Sequence, residues 1–133
     1  MKLKSLLLGV FGLASAAATS QTTWEIGNTT LTEYDLVTGM QIPWEILWGP
    51  DDYLWMTSRK GEVLRIDPTT GDYTTVLEKN VMNGGNGEPG MLGMAMHPNW
   101  ETTPKVYVVY CAGSSWNGQE YLSVLDWNGT ELV

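Results

Sequence analysis

Glu88 is a lone carboxylate set among glycines, and it marks where this chain gathers the residues most able to do chemistry. The stretch from Asn83 to Trp100 reads NGGNGEPGMLGMAMHPNW. Gly84, Gly85, Gly87 and Gly90 permit backbone conformations closed to other residues and let a ligand approach the main chain. A carboxylate in such a loop can bind a cation, accept hydrogen bonds or act as a base, and it can equally be a solvated loop residue, since loops are polar whether or not they work. Met91 to Met96 carry no charge and predict a strand covered on both faces. Glu88 is therefore a candidate binding residue at the rim of an inner strand.

The other reactive side chains have ordinary uses. Asp51, Asp52, Asp67 and Asp72 fall in separate turns, whereas a calcium loop needs several oxygens converging in a fixed register. Arg59 and Lys60 could hold an anion but stand in a turn, where charge is normally solvated. His97 precedes Pro98 and reads as a turn residue despite the aptness of His for base chemistry. Cys111 is the single cysteine, so no internal disulfide forms; it ends a Val and Tyr run and reads as a small buried hydrophobe. Asn28-Thr29-Thr30 and Asn128-Gly129-Thr130 fit the N-glycosylation acceptor pattern. No Ser/His/Asp set, P-loop or dinucleotide fingerprint is present.

Lys2 and Lys4, the apolar run Leu6 to Leu13 and the small residues Ala14 to Ala18 describe a secretory signal peptide, taken as residues 1–20. Its apolar core is shorter than the roughly 20 residues that span a bilayer, so no membrane span is expected after its removal and the mature chain is expected to be secreted or periplasmic. That chain keeps five basic residues, Arg59, Lys60, Arg65, Lys79 and Lys105, against 15 acids. Scattered cations in such an acidic chain exclude nucleic acid as a partner. Seven tryptophans and six tyrosines suit half-buried sheet surfaces.

Residues 21–41 read as an extended lead-in or edge strand, with Tyr34 to Gln41 a further short extended piece. From 42 onward the punctuation is even. Glu45 to Gly49, Tyr53 to Thr57, Glu62 to Asp67 and Tyr73 to Leu77 are short strands separated by turns carrying Pro, Gly or Asp, which describes an antiparallel meander. The pattern returns with Met94 to Asn99, where Pro98 stands 98 minus 50, or 48, positions after Pro50. Lys105 to Tyr110 and Tyr121 to Trp127 follow as the next strands of the second copy. The predicted fold is all-β: a β-propeller fragment of about two four-stranded antiparallel blades over residues 42–133, the second incomplete, since blade repeats run to about 40 to 50 residues. Two blades do not close a ring of about four or more, so the chain is expected to be the amino-terminal part of a longer protein.

PWEILWGPDDYLWMTSRKGEVLRIDPTTG, from Pro43 to Gly71, and GEPGMLGMAMHPNW, from Gly87 to Trp100, resemble the soluble glucose/sorbosone dehydrogenase family. That family's first blade has a Pro-aromatic start, a WGPDG-like turn, a TER-like segment and a DP-x-TG turn; its second opens with GLLG-x-A-x-HPDF. Here Ser58 replaces the acid of the TER-like segment, Asp52 a turn Gly and Trp100 the terminal Phe. The resemblance implies an exported dehydrogenase that oxidises a sugar of the aldose, glucose or sorbosone type with pyrroloquinoline quinone (PQQ) and calcium and passes electrons to an acceptor. It assigns Glu88 to the cofactor shell, in place of a family Gln that contacts the quinone. A carboxylate there accepts hydrogen bonds but, unprotonated, cannot donate one, so Glu88 faces a different part of the cofactor, pairs with a cation or serves another ligand. The family's catalytic His, calcium ligands and quinone-binding Arg and Lys lie beyond Val133; no catalytic or metal-binding residue is assigned here, and this stretch alone is expected to be inactive. The alternatives are a noncatalytic exported propeller module that binds glycan or protein, and a metal-dependent propeller lactonase.

Overall fold

Short apolar runs interrupted by Gly, Pro and Asp build strands alone. The computed structural model describes residues 21–82, 88–114 and 117–133, and among these it contains nine β-strands and no helix. The leader, the loop glycines Gly84, Gly85 and Gly87, and Trp116 lie outside the described residues.

The chain divides into two units, 1–34 and 35–133. In the first, β1 (Thr22–Ile26) and β2 (Thr29–Glu33) form an antiparallel hairpin. The lead-in thus pairs with itself instead of running as a single extended strand. Gly27, at φ 61°, supplies the left-handed turn conformation. Trp24 lies opposite Leu31, and its Nε1 donates to Glu33 Oε2 at 2.9 Å.

The second unit holds two antiparallel sheets. One has the order β3 (Pro43–Trp48), β4 (Leu54–Ser58), β5 (Glu62–Ile66), β6 (Tyr73–Glu78); the other has the order β7 (Met91–Met96), β8 (Lys105–Ala112), β9 (Gln119–Asp126). The second sheet has three strands, and beyond β9 the chain turns so that Leu132 bridges to Trp127. No strand forms between Tyr34 and Gln41. That segment instead places Val37 and Met40 against Met56, Leu64 and Ile66 on the first sheet.

The internal repeat holds at the level of individual hydrogen bonds. Arg59 N donates to Ile42 O at 3.0 Å in the first sheet, and Cys111 N donates to Gly90 O at 2.8 Å in the second. Ile42 and Gly90 are 90 minus 42, or 48, positions apart, the spacing of Pro50 and Pro98. Each proline follows the first strand of its sheet and occupies the same corner. The principal core lies between the sheets, where Trp55, Val63 and Val76 from one meet Met91, Met94, Val106 and Val108 from the other. Trp55 is fully buried, with Trp100 and Trp127 edge-on to it at centroid distances of 5.8 and 5.0 Å.

Two polar groups are built into this seam. Thr57, fully buried, accepts a hydrogen bond from Glu45 N at 3.1 Å and donates one to Leu92 O at 2.6 Å across the seam. Glu45 N needs that acceptor because a register shift between Pro43 and Glu45 interrupts the β3–β4 ladder. Asp51 accepts from Trp55 Nε1 at 3.0 Å and pairs with Arg65 Nε at 2.7 Å, and the Arg65 guanidinium lies 3.3 Å from the centroid of the Tyr53 ring.

Candidate functional site

The first strand of each sheet starts at the same end of the two-sheet unit, and the turn after β4 joins the two starts. Arg59 is the joint: its N–H donates to Ile42 O, just before β3, and its carbonyl accepts from Met91 N, at the start of β7, each at 3.0 Å. Gly90 has φ 150°, and a Cβ there would overlap the Arg59 carbonyl oxygen and side chain. Only glycine allows this close approach. Glu88 stands two residues earlier, exposed, at the end of the unit that holds the Arg59-Lys60-Gly61 turn.

Charges at this rim are partly paired. Lys60 Nζ lies 2.8 Å from Glu62 Oε1, and this carboxylate raises the Lys60 pKa above its ordinary value. Close by, Met82 N donates to the carbonyl of Cys111, which is buried and reduced, as its sequence context predicts. One residue before it, the Tyr110 hydroxyl lies 3.3 Å from Ser123 Oγ, and Lys79 Nζ lies 4.6 Å from the centroid of the Tyr110 ring. The hydrogen bond from Ser123, aided by Lys79 and against the opposing effect of burial, holds that phenol below its usual range.

Ile42 is the residue at this rim that sequence reasoning missed. It is half exposed, with φ 46°, a left-handed conformation that a β-branched side chain adopts only under strain. The available signal was positional, since the repeat aligns it with Gly90.

His97 lies at the opposite end. Its Nδ1 accepts from Asn99 N at 3.1 Å and its ring stacks on Tyr107 at 6.4 Å, as expected of a turn residue. It borders an open cleft of about 440 Å³ between the two proline corners, lined by Trp48, Pro50, Met94, Pro98 and Trp100. This lining is apolar and offers little to orient a charged ligand. The turn aspartates likewise serve local structure: Asp67 Oδ1 accepts from Thr69 N at 2.7 Å and Thr70 N at 3.2 Å. Among the described residues, no three His, Cys, Asp or Glu side chains converge as a metal site.

The family model for glucose/sorbosone dehydrogenase matches residues 40–131. Quinoprotein glucose dehydrogenase B of Acinetobacter calcoaceticus is 35% identical over 75 residues, which make up 55% of this chain and 16% of that protein. Among solved structures, an oxidoreductase (glucose dehydrogenase) from Thermus thermophilus superimposes with a TM-score of 0.65 at 26% identity, over 75% of this chain and 29% of that one. The PQQ-bound aldose sugar dehydrogenase of Streptomyces coelicolor superimposes with a TM-score of 0.63 at 24% identity, over 90% of this chain and 33% of that one, a likeness of fold. The chain thus spans about a third or less of each of these relatives. From the repeated meander, the paired proline corners and the family match over residues 40–131, the chain belongs to the glucose/sorbosone dehydrogenase family and carries two sheets of its β-propeller.

Proposed function

We propose that the chain is part of an exported PQQ-dependent dehydrogenase that oxidises an aldose-type sugar, and that its contribution is one sector of the cofactor rim. The observation that carries this reading is the meeting of Gly90 and Met91, just after Glu88, with the Arg59 turn at the start of the first strand of each sheet. The 35% identity to a quinoprotein glucose dehydrogenase supports it. PQQ, when bound, supplies the acceptor for a hydride from the sugar.

The residues at this rim fit part of a shell around such a group. PQQ carries three carboxylates, and the Arg59-Lys60 turn, joined to Met91 through the Arg59 carbonyl, adds positive charge at the end of the unit where Glu88 precedes β7. Arg59 is held by its backbone to both sheets, so its position is fixed without help from a ligand. Glu88 accepts hydrogen bonds or offsets a cation. Calcium ligands and the proton-accepting base come from other parts of a longer polypeptide, and this chain by itself is inactive.

The test is a dye-reduction assay on a polypeptide that extends this chain to the length of its relatives, loaded with PQQ and calcium and offered a panel of aldoses. Sugar-dependent reduction is expected from the long form and none from this chain alone. A folded long form that reduces no acceptor with any sugar contradicts the proposal.

A further inference from the structure

The first strand of each sheet carries the same bulge at the same height, and one hydroxyl ties the two together. In β3 the register steps from Pro43 opposite Ser58 to Ile46 opposite Met56, three residues against two. In β7 it steps from Met91 opposite Tyr110 to Met94 opposite Val108, again three against two. Met91 minus Pro43 and Met94 minus Ile46 are both 48 positions, the spacing of the proline corners. Bulges cluster beside active sites, where they bend a strand and re-aim its residues.

Thr57 stands opposite the first bulge, and Val109 occupies the matching place opposite the second. The bulge therefore forms with or without a hydroxyl across from it. What the Thr57 hydroxyl adds is a link between sheets: it accepts from Glu45 N at 3.1 Å in the first bulge and donates to Leu92 O at 2.6 Å in the second. The residue is fully buried, so water does not compete for either partner. Packing does not hold the second bulge at Gly93, where an added Cβ would meet no atom within 4 Å. Next to Thr57, Ser58 Oγ donates to Gln41 O at 2.9 Å, and the Arg59 backbone joins Ile42 to Met91. Residues 57–59 thus clamp the starts of β3 and β7, and Thr57 grips both strands through its side chain.

We propose that Thr57 is a positioning residue of the dehydrogenase. Its hydroxyl sets the start of β7, three residues after Glu88, against the start of β3, and so fixes the frame that carries the cofactor shell. This role rests on the cofactor reading above, whereas the two bonds stand without it.

Thr57→Val removes the hydroxyl, Thr57→Ser restores it, and Val106→Ala, which takes buried packing from the same seam and neither bond, is the control. In this chain as it stands, Thr57→Val is expected to speed amide hydrogen exchange about tenfold over residues 42–47 and 90–94 relative to β5 and β6. Thr57→Ser is expected to match the wild type, and Val106→Ala to leave that ratio unchanged. In the extended polypeptide titrated with PQQ in calcium, Thr57→Val is expected to raise the Kd for PQQ about tenfold, with Thr57→Ser and Val106→Ala at the wild-type value. Thr57→Cys, whose thiol is a weak donor and acceptor, gives the same comparison in milder form should the Val variant lose its fold. Exchange that rises evenly through both sheets, or PQQ affinity equal in Thr57→Val and wild type, overturns the role of Thr57 alone. A wild-type long form that binds no PQQ overturns the proposed function and this role with it.

Discussion

Ile42 and Gly90 occupy equivalent places before the first strand of each sheet, and both have positive φ. For Gly90 the conformation costs little and admits the Arg59 carbonyl; for Ile42 it costs about 1 to 3 kcal/mol. Ile42→Asn retains a side chain but tolerates the left-handed region, so it is expected to raise unfolding stability by about 1 kcal/mol. Gly90→Ala should lower it, since a Cβ there meets Arg59 backbone. Urea unfolding followed by tryptophan fluorescence measures both. A loss of stability in Ile42→Asn would show that the isoleucine side chain contributes more than its backbone costs. The strain at Ile42 falls at the end of the unit where the first strands of both sheets begin.

Between the sheets, the order of strands follows from the punctuation, and Thr57 shows what the punctuation leaves out. Its hydroxyl serves the Glu45 N–H freed by the bulge and the Leu92 carbonyl across the seam. Thr57→Val keeps the shape but removes both bonds, with an expected cost of about 1 to 3 kcal/mol, and Thr57→Ser should recover most of it. Equal stability of the Val and Ser variants would contradict this role. The meander, both proline corners and the repeat were legible because turn residues act locally and recur. The bond between Thr57 and Leu92, the Arg65 guanidinium on Tyr53 and the Arg59 bridge join residues distant in the chain or depend on a bulge, and no local pattern announces them. The hairpin β1–β2 is different: Gly27-Asn28 between Trp24, Ile26 and Leu31 is a hairpin signal, obscured by the threonines around it. The place of Glu88 just ahead of a strand was legible, and it is exposed three residues before β7; its part in a cofactor shell rests on the measurement below.

Taken whole, the second unit is two copies of one sheet stacked front to back, with Gly90 and the Arg59 turn meeting where the first strand of each sheet begins. Glu88, with the positive charge of the Arg59-Lys60 turn, is what this chain contributes to the proposed cofactor shell. The decisive measurement is PQQ binding and aldose-dependent dye reduction by the extended, calcium-loaded polypeptide, compared with its Glu88→Gln and Glu88→Ala variants. Because an amide can donate to a PQQ carboxylate where a carboxylate cannot, Glu88→Gln is predicted to tighten PQQ binding by up to about tenfold, or about 1.4 kcal/mol. Glu88→Ala is predicted to lower the rate of dye reduction. Affinity and turnover unchanged in both variants would place Glu88 outside the cofactor shell and contradict the account.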